Sequence, residues 1–434
     1  MAQKIDSNLS ILTLSLLSTK NTRVKLSLFS KNFLSLLGSN FAVQGLRFLT
    51  IALLARRLGT EVFGVYSYLT LLITYGFTVV EFGLRNLALR EIAQGRGSSE
   101  LVKVILKVRS VLAILGSVTV VGFSLLAFPG GKYLVPSIFF ALSLFVDAFL
   151  IDFVVIAHER LVTQSIANIS QALLVYVATF FLVKRADQFT LFSEIFFLSH
   201  VLWVGYFYLS GRPLLNSSEK KVGLKVIDIA KVGLPILVGQ FLFSMQASID
   251  FLLLGQFHYI DRLGDYSAAM KILSIPQGVI FAFFNAMYPR LAKYSDNIQS
   301  QETLGLLNTT MKLIWIIIIP MVIGSWLFGD QLISLFFGEN YIHATAVLKP
   351  LSIAMAFYFL GIGPMATILI SHKTRLMIKL AGFNLSVSFI AAFIVMWAKR
   401  PDLLPWAMIV AQGSFMVASW RPFKIRGYLS FYKK

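Results

Sequence analysis

Cysteine is absent from the 434-residue chain, which excludes disulfides, thiolate metal sites and cysteine nucleophiles. Charge is scarce as well: 14% of residues are charged against 57% hydrophobic, too little polar surface for a soluble domain of this length. Acidic residues are the rarer sign, 20 against 39 Lys and Arg, leaving a net charge of +19. GxGxxG, P-loop and helical HExxH patterns are missing, so the chain carries no signature for handling ATP or for a zinc-protease helix. In a soluble protein the basic excess would point to nucleic acid. Here the basic residues sit in short segments between apolar blocks, where they orient helices and meet anionic lipid headgroups. Membrane lipids, and no nucleic acid, are the partners this implies.

What the chain does have is apolar blocks of about 20 residues, long enough to cross ~30 Å of hydrocarbon as helix. They recur throughout, with a mean hydropathy of +0.76, and predict an all-α polytopic membrane protein. Twelve spans are expected at 32–55, 62–84, 108–128, 133–157, 164–183, 189–210, 228–256, 264–290, 311–329, 345–371, 376–398 and 402–420. Counting each connection with the helix ends beside it, the termini and even-numbered connections carry 28 Lys and Arg, the odd-numbered ones 8. That asymmetry predicts both termini in the cytoplasm. Residues 1–31 read as a basic cytoplasmic lead-in and 421–434 as a basic cytoplasmic tail. The segment 211–227, rich in Gly, Pro, Ser and Lys, divides two six-helix lobes, 32–210 and 228–420.

The lobes share a register. Gly64, Tyr66 and Ser67 match Gly264, Tyr266 and Ser267 at a constant offset of 200, and the same offset carries Arg90 onto Arg290. On the preceding helix Asn40 and Gln44 correspond to Gln240 and Ser244. An even number of helices per lobe makes the repeats parallel, related by an axis along the membrane normal. A two-lobed transporter around a central cavity suits this better than a channel, for which no filter sequence is visible.

A charge at the bilayer centre costs on the order of 2.5–3.5 kcal/mol, so it persists where it faces protein or water. Asn40, Gln44 and Arg47 form one stripe at i, i+4 and i+7 of the first helix, and Gln240 and Ser244 the matching stripe of the seventh. Gln246 with Asp250 reads as a second i, i+4 pair on that helix, and Gln164, Asn168 and Gln171 share the spacing on the fifth. Lys271 enters the eighth helix, and Asp147 lies near the middle of the fourth with Asp152 below it. The functional reading is a hydrated lumen in which Arg47 and Lys271 attract an anionic group, with Asp147 and Asp250 as counter-charges or coupling-cation sites. The structural alternative pairs Arg47 with an acid such as Asp250. The amides beside Arg47 favour the lumen, whereas pairing and ion coupling stay open for the two acids. Glu81 and Arg85, at i, i+4, read as a structural pair. Glu194 and His200 are equally compatible with cavity or pairing. Pro235, Pro276, Pro320 and Pro364 interrupt long apolar stretches, with packing kinks the common outcome and a hinge at Pro235 or Pro276 the mechanical one.

The segment from Arg56 to Ala93 resembles the first helical hairpin of bacterial polysaccharide and O-antigen flippases of the multidrug, oligosaccharidyl-lipid and polysaccharide exporter superfamily. The marks are Leu58-Gly59, Phe63-Gly64 with Tyr66, Phe82-Gly83-Leu84 and Arg90-Glu91-Ile92-Ala93. Counterparts follow in Asp250-Phe251, Leu254-Gly255, Gly264 to Ala269, Tyr288-Pro289-Arg290-Leu291, and Phe337-Gly338 with Tyr341 and Ala346-Val347-Leu348. The resemblance implies a flippase that moves undecaprenyl-diphosphate-linked oligosaccharide to the outer leaflet of a bacterial inner membrane by alternating access, with Arg47 and Lys271 meeting the diphosphate or acidic sugars. It implies no cofactor, and a proton or sodium ion as the candidate coupling cation. Lipid II flippases of the superfamily typically have two helices more. Multidrug cation antiporters, the nearest alternative, usually have acid-rich cavities. A polytopic sugar polymerase or glycosyltransferase is the rival of a different class. The outward connection 330–344 offers it Asp330, Glu339 and His343, with no nucleophile–base pair and no metal spacing.

Overall fold

The computed structural model describes residues 3–94, 99–215, 226–292, 301–370 and 374–424, and for stretches such as 3–37 and 282–292 the backbone alone. Most of the linker expected at 211–227 and of the tail at 421–434 lies outside the described residues, as do the side chains of Pro235 and Arg290. The first lobe comprises α1 (Gln3–Glu81), α2 (Leu84–Ala93), α3 (Ser99–Ala127), α4 (Leu134–Asp147), α5 (Asp152–Ala157), α6 (Leu161–Leu182) and α7 (Phe189–Gly211). The second comprises α8 (Val226–Gln246), α9 (Ile249–Gln256), α10 (Ile260–Ala292), α11 (Gln301–Leu327), α12 (Gly329–Phe337), α13 (Ala344–Ile370), α14 (Thr374–Trp397) and α15 (Leu404–Lys424). No strand occurs among the described residues. A chain in hydrocarbon has no water for stray backbone groups, so helices, whose bonds are internal, are the element available to it.

The polarity of the molecule is inverted relative to a soluble protein. Leu209 and Trp397 are each 75% exposed, and α3 presents Val111, Ile114, Leu115, Val118 and Leu126 outward. The interior holds Ser137, Ser143, Ser193, Ser352, Asn384 and Ser388, all fully buried. Ser124 bonds Ser137 at 2.6 Å between α3 and α4, and the Asn384 amide donates to Gln412 at 3.1 Å between α14 and α15. Lipid tails are as apolar as leucine, so small residues and interhelical hydrogen bonds hold such helices together. The chain is a multi-pass membrane protein.

Nine described helices are long and apolar enough to cross a membrane, ten if the bent pair α8–α9 counts as one span. One of the nine, Gly38–Glu81, has 44 residues. At ~1.5 Å per residue it is about twice the hydrocarbon thickness. It divides at Gly59, whose φ of 75° and ψ of 174° suit glycine. The exact count of twelve remains an expectation.

Breaks within the spans correct several local readings. Phe82 and Gly83 turn with φ of 46° and 68°, so Glu81 and Arg85 do not share a helix and form no ion pair. Arg85 instead bonds Asp152 at 2.8 Å. The span expected at 133–157 breaks between Asp147 and Asp152. The one expected at 228–256 breaks after Gln246, with α8 and α9 bent by 67°. Gln246 and Asp250 therefore do not make an i, i+4 pair. No proline lies at that bend, and α8, α10 and α11 run unbroken through Pro235, Pro276 and Pro320.

The lobes meet where α1, beyond Gly59, crosses α10. A Cβ on Gly64 would lie 2.7 Å from Leu263 Cβ, and one on Gly264 would lie 2.1 Å from the Thr60 carbonyl oxygen. One turn further, Ser67 and Ser267 hydrogen-bond at 2.6 Å. Residues related by the offset of 200 thus touch one another, as they must where a pseudo-twofold axis passes between them.

This crossing lies toward the end of the bundle that gathers the odd-numbered connections, called here the distal end. The Tyr341 hydroxyl donates to the Ala55 carbonyl at 3.0 Å. His258 Nδ1 lies 3.0 Å from the Ala127 carbonyl, and Gln256 donates to the Phe123 carbonyl at 3.2 Å. Two adjacent arginines act on two helix ends. Arg57 donates to the carbonyls of Thr179, Phe180 and Val183 at the end of α6, within its own lobe. Arg56 donates to the carbonyls of Leu335 and Phe336 at the end of α12, across the lobes. The last carbonyls of a helix lack internal donors and carry the negative end of its dipole, so a guanidinium satisfies both. Beside them Lys132 and Tyr133 bond the Glu61 carboxylate at 2.9 and 2.8 Å and hold its pKa below the ordinary glutamate value. With a depressed folded pKa, this small contribution to stability is present above the unfolded value and is lost as pH falls through the folded one.

Because the chain has no cysteine of its own, Ser67→Cys combined with Ser267→Cys introduces a clean pair. Mild oxidant should close an intramolecular disulfide, read as a mobility shift reversed by reductant, with neither single variant responding. Absence of the cross-link would argue against the serine–serine contact. Arg56→Ala should expose a cysteine at Tyr341→Cys to membrane-impermeant reagent several-fold faster, whereas Arg57→Ala should leave that rate unchanged.

Candidate functional site

Deep beside the crossing, two cations lack partners. Arg47 lies on α1 before Gly59, amid surrounding protein, yet its side chain is exposed to open space. It makes no hydrogen bond or ion pair among the described residues. Lys271 sits one turn beyond Ser267 on α10, half-buried and enclosed by neighbours. Its ammonium is likewise unbonded among the described residues, while its backbone carbonyl accepts from Ser274 at 2.6 Å. Each lobe supplies one cation, from positions that are not equivalent in the repeat.

Asn40 and Gln44 are exposed along with Arg47, while Ser39, Val43 and Thr50 on the other face are buried. Phe41 and Leu49 are exposed on the same stretch, so the polar stripe shares the outer surface of α1 with apolar side chains. Gln240 and Ser244 on α8 are half-buried, and Gln240 Oε1 has no hydrogen-bond partner among the described residues. Gln246, at the end of α8, is buried with both amide atoms unpartnered.

The acids are placed differently. Asp250 is buried at the start of α9, where its carboxylate accepts from the Phe251 amide at 2.9 Å and from the Tyr266 hydroxyl. It lies in the first turn of the helix that follows the 67° bend, where an acid is favoured by the helix dipole, and pairs with neither Arg47 nor Lys271. Asp147 is buried at the end of α4, with Oδ2 3.9 Å from His200 Nε2 and Oδ1 without a partner. Asp152 holds Arg85 through two contacts, at 2.8 and 3.2 Å. Arg109, buried on α3, donates to the Leu150 carbonyl at 2.8 Å, inside the break between α4 and α5. On α6, Asn168 accepts from the Trp203 indole at 3.1 Å, and Gln164 and Gln171 are half-buried. Glu194 is exposed, and His200 is buried and paired.

Sequence reasoning singled out the two cations and missed the contacts that gather the odd-numbered connections. Arg56, Gln256 and Tyr341 appear as ordinary connection residues until the odd-numbered connections converge. A separate cleft of about 500 Å³, lined by Phe123, Leu252, Gln256, Leu385 and Phe389, lies between α3, α9 and α14. It is apolar and none of the candidate site residues lines it.

Comparison with known proteins follows the same lines. A family described as polysaccharide biosynthesis protein matches residues 29–295. A Haloferax volcanii protein named as a probable low-salt glycan biosynthesis flippase, Agl15, is 22% identical over 327 residues, which cover 74% of this chain and 67% of that one. A Shigella flexneri protein named as an O-antigen transporter is 24% identical over 359 residues, covering 75% and 81%. Among solved structures, the lipid II flippase MurJ in an inward closed conformation superposes with a TM-score of 0.68 at 14% identity, covering 92% of this chain and 89% of that one. This likeness establishes a shared fold.

Loss of the Arg85–Asp152 pair should be costly, because it strands a nearly buried carboxylate or its partner. Asp152→Asn, which keeps the shape and removes the charge, should destabilise the protein by about 1–3 kcal/mol in thermal or denaturant unfolding. An unchanged transition would mean that the ion pair contributes nothing.

Proposed function

The chain belongs to the polysaccharide biosynthesis protein family, and on that premise we propose that it flips undecaprenyl-diphosphate-linked oligosaccharide from the cytoplasmic to the outer leaflet of a bacterial inner membrane. The observation that carries the reading is that two cations of the spanning segments, Arg47 on α1 and Lys271 on α10, have no hydrogen-bond or ion-pair partner for their side chains among the described residues. A diphosphate presents two anionic groups with strong acceptor oxygens, and a guanidinium with an ammonium can bind both at once. Asn40 and Gln44 on α1, with Gln240 and Ser244 on α8, would offer neutral donors and acceptors to sugar hydroxyls.

The two acids support the anionic choice by where they are not. In a cavity built for organic cations, carboxylates face the open space; here Asp250 is committed to Tyr266 and its own helix, and Asp147 is buried 3.9 Å from His200. The multidrug cation antiporter alternative loses its counter-charges accordingly. The named relatives are a flippase and a transporter, and chemical conversion of the sugar has no part in this reading.

Alternating access follows in this account from the two-lobed arrangement. The contacts at Gly64, Gly264, Ser67, Ser267, Arg56 and Tyr341 close the distal end, which on the Lys and Arg asymmetry is the outer one, with both termini cytoplasmic. Cargo would enter from the cytoplasmic side, and release would require the distal contacts to part. A proton or sodium ion remains the expected coupling cation.

The test is translocation in reconstituted vesicles. A fluorescent undecaprenyl-diphosphate oligosaccharide should reach the opposite leaflet with the parent protein, and Arg47→Ala or Lys271→Ala should slow this by about tenfold or more, equivalent to ~1.4 kcal/mol of lost binding. Parent transport with unaffected variants would remove the two cations from the site. Export of a cationic dye in place of the lipid would move the protein to the antiporter branch.

A further inference from the structure

The apolar cleft between α3, α9 and α14 is open on one side and walled by both lobes. Its floor is α9, where Ile249, Leu252 and Leu253 are buried. Its walls are exposed: Phe123 from α3 on one side, Phe389 and Ile390 from α14 on the other. The opening continues the lipid-facing surface of both helices, which expose Val118 and Leu126 on α3 and Ile394 and Trp397 on α14. Phe123 stands four residues before the end of α3, Gln256 ends α9, and Phe389 stands eight residues before the end of α14. At ~1.5 Å per residue these positions lie within about 12 Å of the distal helix ends, inside the distal half of ~30 Å of hydrocarbon.

Little in the cleft can hold water. The Gln256 amide nitrogen is spent on the Tyr68 hydroxyl and, at 3.2 Å, on the Phe123 carbonyl, and Ser386 adds one further hydroxyl. An apolar cavity stays dry, and an empty one forfeits the dispersion contacts of its lining. A helix is too thick to fill it: at ~11 Å diameter, one turn would use the whole 500 Å³. Drawn out along the ~15 Å of one leaflet, that volume has a cross-section of about 33 Å², which suits a single flexible hydrocarbon chain.

Phe123 belongs to the first lobe, and α9 and α14 to the second. Behind the floor, α9 is pressed onto α1, where a Cβ on Gly255 would lie 2.3 Å from the Tyr68 ring. A chain seated in the cleft touches both lobes, and parting them at Gln256 would remove one of its walls. Such a chain binds the distally closed arrangement more tightly and so favours it. We propose that the cleft holds one acyl chain of a distal-leaflet phospholipid, which bridges the lobes and stabilises distal closure. Phospholipid is the abundant source of hydrocarbon chain at that depth, and neither Arg47 nor Lys271, the candidate contacts of a diphosphate, lines the cleft. The nature of the cargo does not enter.

The site is tested on the full chain in phospholipid nanodiscs doped with a phosphatidylglycerol that carries a diazirine within one acyl chain. After photolysis, adducts mapped by mass spectrometry should be several-fold denser on Leu385 and Phe389 than on Val118 and Leu198, which are exposed at similar depth on α3 and α7. An even distribution would mean ordinary surface lipid and overturns the site. Displacement of the cleft adducts by undecaprenyl phosphate would give the cleft to a prenyl tail and overturns the phospholipid. Ser386→Trp fills the cleft from an exposed position and should lower its adducts several-fold while those on Val118 persist, with Ser386→Phe as the smaller filling if the tryptophan variant does not fold. Bridging is read from the rate at which Tyr341→Cys meets membrane-impermeant reagent. Methyl-branched phospholipid, whose chains fit the narrow cleft worse than straight ones, should speed this labelling several-fold, and added Ser386→Trp should abolish the difference. Equal acceleration with and without Ser386→Trp, or none in either, overturns the bridging.

Discussion

Where α1 crosses α10 there is no space for a side chain on either helix: a methyl on Gly264 would sit 2.1 Å from the backbone of Thr60, and one on Gly64 would meet Leu263 and Gly264. This approach lets Ser67 reach Ser267, and it fixes the line along which the lobes touch. Other features follow from it. The odd-numbered connections are drawn together, so that Arg56 and Tyr341 find carbonyls in the opposite lobe. Lys271 lies one turn from Ser267, half-buried on α10. In a membrane, where hydrocarbon contact gives no preference between one apolar face and another, close backbone approach and buried hydroxyl pairs are the available means of specifying such an interface.

A second constraint shapes the interior. Each break in a spanning helix frees backbone groups that lipid cannot satisfy, so it must lie against protein and be capped. Asp250 does this for the start of α9, and Arg109 supplies a donor to the Leu150 carbonyl between α4 and α5. Charges therefore collect at the breaks for two different reasons. Some, such as Asp250 and Arg85, are consumed by local structure. Others, Arg47 and Lys271, have side chains without a partner among the described residues. Separating these two populations is what turns a roll of intramembrane polar residues into a mechanism.

The reading of individual residues succeeded or failed along the same division. Asn40, Gln44 and Arg47 were legible because α1 is unbroken there, and a spacing of 3.6 residues per turn places them on one face. Glu81 with Arg85, and Gln246 with Asp250, have identical spacing and were misread, since the helix ends between the members of each pair. Phe82-Gly83 was visible as a family mark but not as a turn, and Ala247-Ser248 contains neither proline nor glycine to announce a bend.

By itself the sequence determined that this is a polytopic helical protein, that its halves repeat at an offset of 200, and that a polar stripe runs down its first span. Composition, period and register are properties of the chain alone, and lipid enforces them without reference to distant contacts. Which charges pair, where the helices break, and which residues close the distal end were decided only in the tertiary structure. Those outcomes depend on what lies across a helix face at 3 to 4 Å, and a residue such as Asp147 has its partner, His200, three helices further along the chain.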